Sequence, residues 1–418
     1  MKNNWNKLDN AAKIFPAADS KSDSQVFRFS CELNQPIQPE LLQHALDNTI
    51  RVFPAYQCIL KRGLFWYYLE STDMKPIVRE EYKPPCSPLY DKNRKSLLFE
   101  VTYYRNRIHL EVYHVLSDGT GAMYFLKTLL AKYLAAAKGA KELPLDYDAT
   151  AMQMETDSFQ KYYNDEKPIR KTKNIAACKL RGQKYNENRL KIITGHCSVK
   201  EVLKAAHSYQ TTLTAFLCAC MMQAISEELS VRAKKKPVIL AVPVNLRNFF
   251  PSVSARNFFS LIFTDYNFYE TMPAFAEIVK KIDADFKQKL SREYLANSIN
   301  MYSAVERNIF SRIVPLVLKD FFLRIAYRLS SLQSTATLSN IGIVTFAEEY
   351  ADSIRSFDVY VSTNKLQACV CSFRDTLSIS FTSPFISSDI QRNFFRILTN
   401  LGIQIEITTN PIDDWQEV

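Results

Sequence analysis

The chain has 418 residues, of which 47% are hydrophobic and 12% aromatic, enough to bury a large core over two or three domains. It contains only 8 glycines and 17 prolines, so collagen-like and low-complexity architectures are excluded. The net charge of +10 favours an anionic partner, and charge alone leaves open whether this is nucleic acid, a membrane surface or a phosphorylated small molecule.

The targeting and redox features of the sequence indicate a cytoplasmic protein. The first residues lack the apolar segment of a secretory signal, and no stretch approaches the roughly 18 uninterrupted apolar residues of a membrane span. Integral membrane association is therefore not expected. The nine cysteines lack paired metal-ligand spacings, since Cys218 and Cys220, like Cys369 and Cys371, are separated by one residue. We expect reduced core thiols and no metal site.

The N-terminal part predicts strands and helices around one sheet. Residues Val26 to Leu33 have the β-branched and aromatic character of a strand, and Pro39 then leads into a helix. The apolar positions from Leu42 to Phe53 recur at helical spacing, so one face of this helix is expected to cover the sheet. Residues Phe99 to His114 predict a hairpin that turns at Arg105 to Arg107.

The polar stretch 141–189 predicts a crossover between an N-terminal lobe, residues 1–140, and a C-terminal lobe, residues 190–418. A strand followed by a capped helix recurs after residue 190, which suggests two halves of related layout. The later elements are predicted as helices at 214–228, 272–295 and 312–332, a strand at 238–244, and a meander of strands at 357–362, 367–373 and 377–382. The predicted fold class is α+β, a mixed α/β sandwich.

His114 stands at the end of the predicted hairpin's second strand, in which every second residue is apolar. The turn that follows contains Asp118 and Gly119 and leads into an apolar helix that Gly139 ends. A strand, a tight turn and a buried helix can hold an imidazole in a fixed orientation, as a catalytic base requires. The alternative interpretation is a core histidine followed by an ordinary Asp-Gly turn.

The pattern His114-x-x-x-Asp118-Gly119 resembles the signature of the chloramphenicol acetyltransferase-like superfamily. This group includes plant BAHD acyltransferases, peptide-synthetase condensation domains, wax ester synthases and microbial alcohol acetyltransferases. The residue before the histidine is Tyr113, which argues against a condensation domain, and no D-F-G-W-G string follows residue 340, which disfavours a plant enzyme. The chain therefore looks most like a microbial alcohol acetyltransferase among these condensation-domain-like proteins. The resemblance implies two lobes with the active site in a channel between them.

Two further segments are similar to those of the superfamily. The strand that ends at Arg247 resembles one whose arginine pairs with the motif aspartate, so the resemblance gives Asp118 and Arg247 a structural role. Ser339 and Asn340 resemble the first two residues of an S-N-x-G segment that lines the acyl-CoA channel, and either could donate to an oxyanion. The alternatives are that Arg247 is exposed or pairs with another acid, and that Ser339-Asn340 is a simple turn.

The resemblance implies an acyl-CoA-dependent O-acyltransferase that moves an acyl group, expected to be acetyl, from a CoA thioester to a small alcohol. His114 would be the general base, since neutral imidazole removes protons well near neutral pH. No covalent acyl-enzyme is needed, and no G-x-S-x-G elbow is present. Gly119 is expected to permit the turn. Lys234, Lys235 and Lys236 are candidates to attract the phosphates of coenzyme A, and no permanently bound cofactor is expected.

Other functions remain open from the sequence. The same fold could acylate an amine or a long-chain or polyketide-type alcohol, or the chain could be a non-catalytic binding protein. The segment Phe310 to Leu332 has the apolar and basic pattern of a lipophilic acceptor wall or of a helix that touches a membrane surface, but Pro315 and the mixed faces favour core packing. Nucleic acid is not expected as a partner, because no basic helix or aromatic-interleaved basic strand occurs. The oligomeric state is open, and a monomer is compatible with the sequence.

Overall fold

A computed structural model of the chain describes residues 5–140, 147–164, 166, 176–186, 189–269, 273–307 and 313–411. Its strands are β1 Trp5–Lys7, β2 Val26–Leu33, β3 Cys58–Arg62, β4 Tyr67–Ser71, β5 Arg79–Glu80, β6 Phe99–Tyr104, β7 Arg107–Tyr113, β8 Lys191–Ser198, β9 Val238–Asn245, β10 Phe259–Tyr266, β11 Ala336–Val344, β12 Ile354–Val361, β13 Leu366–Phe373, β14 Thr376–Ser383 and β15 Glu406–Thr409. Its helices are α1 Phe15–Ala18, α2 Pro39–Val52, α3 Gly119–Lys138, α4 Ala151–Met154, α5 Ser158–Tyr162, α6 Val199–Ser208, α7 Leu213–Glu227, α8 Phe275–Lys289, α9 Arg292–Arg307, α10 Leu316–Ser331, α11 Glu348–Ala351 and α12 Asp389–Asn400. The predicted mixed α/β architecture is confirmed.

The N-terminal sheet has five strands in the order β12-β2-β7-β6-β5. Phe27 of β2 lies opposite Val112 of β7, so alternate residues of these strands form one apolar face. Helices α2 and α3 bury residues at helical spacing, and Phe125 of α3 packs edge-on against Phe99 with ring centroids 5.2 Å apart. The predicted hairpin over 99–114 is confirmed, with β6 and β7 antiparallel.

The C-terminal sheet has seven strands in the order β10-β9-β11-β13-β14-β8-β15. Strand β11 runs parallel to both of its neighbours, β9 and β13, and the other pairs are antiparallel. Helix α7 is buried on most of its surface and packs against β9, α8 and α12. A third, small sheet has the order β1-β4-β3.

Two hydrophobic clusters correspond to the two large sheets. One contains Phe29, Leu110 and Leu126 of the N-terminal sheet and helix α3. The other contains Phe216 of α7 and Leu240 of β9. Each lobe therefore has its own core, as a two-lobed protein requires. The domain limits at residues 140 and 189 stay a prediction, and within 141–189 the described residues include α4 and α5.

Strand β12 belongs to the C-terminal half of the chain but joins the N-terminal sheet. Strands β13 and β14 form the predicted antiparallel hairpin, but β12 pairs with β2, with Val359 opposite Phe29. The predicted three-strand meander is therefore wrong for its first strand. Nearly every residue of β12 is buried, so its sequence lacks the alternation that would reveal which sheet it borders. As a result, a strand from the C-terminal half closes the N-terminal sheet.

The predicted helix over 272–295 is two helices, α8 and α9. They are separated near Ser291, whose hydroxyl accepts a hydrogen bond from the Tyr294 backbone N–H at 3.3 Å, as helix N-caps do. Helix α10 begins at Leu316, directly after Pro315. Residues 272 and 312, the predicted starting points of the two helices, lie outside the described residues.

The remaining expectations concern membranes and thiols. Among the helices that the structure describes, none combines the length and the apolarity needed to cross a membrane. All nine cysteines are free and buried. Burial raises the pKa of the Cys218 thiol above its ordinary value, so this group stays protonated as a core side chain.

Candidate active site between the two sheets

A cavity of about 310 Å³ lies between the two large sheets. Strands β2 and β12 line it from the N-terminal sheet, β9, β10 and β11 from the C-terminal sheet, and the start of α3 and the end of α10 complete the wall. The predicted site residues that line it are His114, Asp118, Gly119, Ser339 and Asn340. The fold thus brings segments that are far apart in the sequence to one cavity.

Backbone contacts on both sides hold His114 in place. It directly follows β7, and its N–H donates to the Gln25 carbonyl at 2.9 Å. Its own carbonyl accepts from the Asn257 side-chain amide at 3.0 Å. The Leu116 N–H donates back to the Tyr113 carbonyl at 2.8 Å, which closes the turn after the strand. The imidazole is therefore carried on a backbone fixed by both lobes.

The imidazole of His114 is surrounded by phenyl rings. Its centroid lies 4.8 Å from that of Phe15, 4.6 Å from that of Phe27 and 6.2 Å from that of Phe259. Burial in this apolar setting lowers the pKa of His114 to about 4, against the weaker opposing effects of Asp118, Asn257 and the Ser117 backbone. The ring is therefore neutral at pH 7, the form that can accept a proton.

The Asp118 carboxylate is engaged by three donors. Asp118 caps helix α3, and its Oδ1 accepts from the Gly121 N–H at 2.9 Å. Its Oδ2 accepts from Arg247 Nη1 at 2.7 Å and from the Phe258 N–H at 2.8 Å. Both side chains of the ion pair are buried. The carboxylate is thus committed to holding the turn and is not free to act on a substrate.

Arg247 anchors a loop of the C-terminal lobe to this turn. Its Nη2 donates to the Ser254 carbonyl at 2.8 Å and to the Arg256 carbonyl at 2.6 Å, and its Nε donates to Ser254 at 3.2 Å. The same loop carries Asn257, which bonds to the His114 carbonyl. The interpretation of Arg247 as an exposed residue is therefore incorrect, because its guanidinium is buried and bonded throughout.

The two glycines after Asp118 are needed for space. Gly119 has no positive φ, and a Cβ there would meet Ile341 Cδ1 at 3.3 Å, so it leaves room at the cavity wall and is not the tight-turn residue expected from the sequence. A Cβ on Gly121 would lie 2.0 Å from the Ala255 carbonyl oxygen and 2.3 Å from Ser117 Oγ. Gly121 therefore allows the two lobes to meet at this point.

Ser339 and Asn340 lie on strand β11 and differ in their bonding. Asn340 Nδ2 donates to Thr214 Oγ1 at 2.8 Å, and its Oδ1 accepts from the Gly342 N–H at 2.9 Å. These bonds accompany a β-bulge between Asn340 and Gly342, where Gly342 has φ 93°. Within the described residues, the Ser339 hydroxyl has no hydrogen-bond partner and lines the cavity. Of the two candidates for the oxyanion donor, Ser339 is the one whose side chain is not held by another hydrogen bond within the described residues.

The lysine cluster predicted to attract coenzyme A is not in the cavity wall. Lys234 and Lys235 form a short 3-10 turn before β9, and Lys236 follows it. The lysine that does line the cavity is Lys365, which donates to the carbonyls of Ser331 and Ser334. Burial lowers the pKa of Lys365 to about 8.

Asn257 and the phenyl rings around His114 were missed by sequence reasoning. Asn257 also donates to buried Asp9 at 3.1 Å, and nothing local in the sequence links these residues to His114. Gly121 did leave a signal, because it stands two residues after Gly119 in a chain with only 8 glycines.

Solved structures with the same fold include several acetyltransferases and condensation domains. The trichothecene 15-O-acetyltransferase of Fusarium sporotrichioides is 12% identical, with a TM-score of 0.62 over 95% of this chain and 94% of that one. F. sporotrichioides TRI101, complexed with coenzyme A and T-2, is 11% identical, with a TM-score of 0.64 over 96% and 99%. The first condensation domain of the CDA synthetase is 14% identical, with a TM-score of 0.60 over 96% of both chains. These likenesses establish the two-lobed chloramphenicol acetyltransferase-like fold.

No curated protein sequence matches the chain. A model of the alcohol acetyltransferase family matches residues 138–399, which include Arg247, Ser339 and Asn340 and begin after His114. The match covers more than half of the chain. The chain therefore belongs to the alcohol acetyltransferase family and is an acyltransferase with the chloramphenicol acetyltransferase-like fold.

Proposed function

We propose that the chain transfers an acyl group from a CoA thioester to an alcohol, with His114 as the general base. The observation that carries this proposal is the buried imidazole at the wall of the cavity between the sheets, whose pKa is lowered by burial. His114 Nδ1 is buried, so Nε2 is the nitrogen proposed to act in the cavity. The engagement of Asp118 by Arg247 supports a single base and not a catalytic pair.

In the proposed reaction, His114 takes the proton of the acceptor hydroxyl as the oxygen attacks the thioester carbonyl. A carbon–oxygen bond forms, and the carbonyl electrons move to the oxygen of a tetrahedral intermediate. When the intermediate collapses, the carbon–sulfur bond breaks, and the thiolate leaves with the proton from the imidazolium as free coenzyme A. No acyl-enzyme forms, because both substrates are bound together.

Ser339 is proposed to donate a hydrogen bond to the oxyanion. Its hydroxyl lines the same cavity as His114 and is uncommitted within the described residues. An oriented donor at this position stabilises charge that appears only in the transition state. Asp118 and Arg247 would then keep the geometry of the His114 turn without contacting the substrates.

Acyl-CoA is the proposed co-substrate, and the family description favours an acetyl group. A structural neighbour complexed with coenzyme A supports this choice. The net charge of +10, to which Lys234, Lys235 and Lys236 contribute, would attract the anionic co-substrate at long range even though these lysines do not line the cavity. We also propose a cytoplasmic location, where CoA thioesters are present and nine free thiols stay reduced.

Release of free coenzyme A tests the proposal. Purified chain is incubated with acetyl-CoA or longer acyl-CoAs and a panel of alcohols, and the thiol is followed with a chromogenic disulfide. His114→Ala should lower kcat at least about 100-fold. His207→Ala is the matched control, because this histidine is exposed on α6 and should leave the rate unchanged. Equal rates for wild type and His114→Ala would contradict the assignment of the base.

The same panel decides between alcohols and amines. An alcohol is favoured because the family is described as alcohol acetyltransferase. Amines of matched shape are included at a pH where part of each is unprotonated. If coenzyme A is released faster with the amines than with the alcohols, the proposed reaction becomes N-acylation at the same site.

A further inference from the structure

Helix α10 exposes its apolar residues to solvent. Val317 is 65% exposed, Phe321 57%, Phe322 61% and Leu329 59%. The sequence favoured core packing for this segment, and the structure shows that this interpretation is wrong. We call the exposed side chains the α10 surface: Val317, Leu318, Phe321, Phe322, Ile325 and Leu329.

The inward side of the same helix is mostly polar, although it includes Leu316, which is buried in the hydrophobic core. Lys319 donates to the Phe65 carbonyl at 3.0 Å. Asp320 accepts from the Tyr67 hydroxyl at 2.9 Å, and Tyr327 donates to Asp23 at 3.3 Å. Most large apolar residues of α10 therefore lie on its outward side, whereas a surface helix of a water-soluble protein usually turns them inward. An apolar face of this kind on a folded lobe indicates a surface that is covered when the protein works.

The apolar area continues beyond the helix. Ile313 is exposed just before α10, and Leu64 is exposed in the loop between β3 and β4. The Leu316 N–H donates to the Leu64 carbonyl at 2.9 Å, which holds this loop against the start of the helix. Leu64 and Ile313 thus add exposed apolar side chains next to the start of α10.

The charges around the α10 surface match an anionic lipid surface. Arg324 and Arg328 are exposed on α10, and Asp320, the only acidic residue in 313–332, is turned inward. A second copy of the chain is a poor occupant, because a two-fold interface would bring these arginines toward their own counterparts without a carboxylate from α10. Anionic headgroups would instead pair with the arginines while the phenyl and aliphatic groups enter the acyl region.

The α10 surface also adjoins the mouth of the cavity. Tyr327, Ser330 and Ser331, at the end of the same helix, line the cavity that contains His114. The cavity wall also includes Phe259 and other apolar side chains, beside polar ones such as Gln25 and Ser362. The end of α10 and His114 thus share one cavity, which a lipophilic alcohol taken up at the α10 surface would enter to reach the base.

We propose that the α10 surface docks on an anionic membrane and that the acceptor is a lipophilic alcohol taken from it. The part of this proposal that concerns the acceptor rests on the proposed acyl transfer to an alcohol. Docking itself does not, because it follows from the exposed face and its charges. The chain would bind at the interface, with α10 lying along the membrane surface.

Binding is measured by flotation with vesicles of phosphatidylcholine alone and of phosphatidylcholine with phosphatidylserine as a minor component. The double variant Phe321→Gln with Phe322→Gln should lower the partition coefficient at least about ten-fold on both vesicles, because glutamine keeps helix propensity and removes apolar contact. Arg324→Gln and Arg328→Gln should each lower it about five-fold, on the anionic vesicles only. Met152→Gln, which removes another exposed apolar side chain, is the matched control and should bind as wild type does.

Three outcomes would overturn docking. The first is equal flotation of wild type and the phenylalanine variant. The second is a wild-type dimer in light scattering that this variant makes monomeric, which would assign the α10 surface to self-association. A protein partner would be indicated by wild-type chain that stays monomeric and binds neither vesicle.

Activity separates the two proposals. With a water-soluble alcohol, wild type and the Phe321/Phe322 variant should release coenzyme A at the same rate. With a long-chain alcohol embedded in anionic vesicles, the variant should be at least about ten-fold slower. Vesicle binding without thiol release from any acceptor would refute the acyl-transfer proposal and leave docking in place. Thiol release without vesicle binding would refute docking and leave the acyl-transfer proposal in place.

Discussion

Replacing Asp118 by asparagine removes the negative charge of a buried ion pair while keeping the shape of the side chain. The carboxylate accepts hydrogen bonds from Arg247 Nη1 at 2.7 Å, from the Phe258 N–H at 2.8 Å and from the Gly121 N–H at 2.9 Å. An asparagine has one oxygen for these three donors. In either orientation of the asparagine amide, its NH2 group therefore faces at least one of these donors and cannot accept a hydrogen bond from it.

The expected cost follows from the burial of the pair. Breaking a buried ion pair costs about 3–5 kcal/mol, because one charge is left without its partner. The Arg247 guanidinium keeps its bonds to the carbonyls of Ser254 and Arg256, which partly compensate. We therefore expect Asp118→Asn to lower the free energy of unfolding by about 3 kcal/mol, at the low end of that range.

A double-mutant cycle measures this coupling. Asp118→Asn, Arg247→Met and the double variant are unfolded in urea, and the change in free energy of unfolding is compared. The double variant should cost at least about 2 kcal/mol less than the sum of the single variants. Asp389→Asn is the matched control, because its ion pair with Arg392 is exposed and should contribute less than about 1 kcal/mol.

The cycle also reports on the site. Arg247 holds the loop that carries Asn257, and Asn257 bonds to the His114 carbonyl, so each single variant should lower kcat more than it raises KM. Additive effects within about 0.5 kcal/mol would refute the coupling. Unchanged kcat in a folded Asp118→Asn variant would show that the pair does not support the base.

Four further predictions concern three single residues. Because burial lowers the pKa of His114 to about 4, kcat/KM should stay level from pH 7 down to about pH 5 and fall only near pH 4. If kcat/KM instead falls to half its maximum near pH 6.5, the imidazole is exposed and its pKa is not lowered. Because the pKa of His114 is lower in the folded chain than in the unfolded chain, protonation of His114 as the pH falls favours the unfolded state. The free energy of unfolding of wild type should therefore fall by up to about 3 kcal/mol between pH 6.5 and pH 4, relative to that of His114→Gln. Gly121→Ala should lower the free energy of unfolding by more than about 3 kcal/mol, because the new Cβ meets the Ala255 carbonyl. Gly139→Ala is the control: residue 139 has φ 60° and open space around it, so this variant should cost only about 1 kcal/mol in thermal unfolding. Ser339→Ala should lower kcat at least about ten-fold with unchanged KM, and an unaltered kcat would remove it as the oxyanion donor.

The strand, turn and helix around His114 could be predicted because their signals are local. The hairpin of β6 and β7 showed alternation, and helix α3 showed an apolar stripe that ends at Gly139, which the structure places in the left-handed conformation. The partner of Asp118 lies 129 residues away, and only the resemblance to a known superfamily suggested Arg247. Periodicity describes faces of elements and carries no information on which distant side chain meets them.

The elements that were predicted incorrectly show the same limit of local sequence patterns. Strand β12 is buried on nearly its whole length, so its sequence did not indicate that it borders β2 in the other lobe. The break between α8 and α9 depends on Ser291, a single cap inside a helical pattern. In both cases the sequence predicted the type of element correctly, but it gave β12 the wrong neighbour and merged α8 and α9 into one helix.

The sequence by itself determined the mixed α/β class, the turn that presents His114 and the presence of an apolar helix near residue 320. Only the tertiary structure decided that phenyl rings from three segments enclose the imidazole and depress its pKa, and that α10 turns its polar side inward and its apolar side outward. The physical reason is that local sequence sets the conformation and amphipathicity of each segment. Burial, and with it the charge of a histidine or the exposure of a phenylalanine, is set by which surfaces the rest of the chain covers.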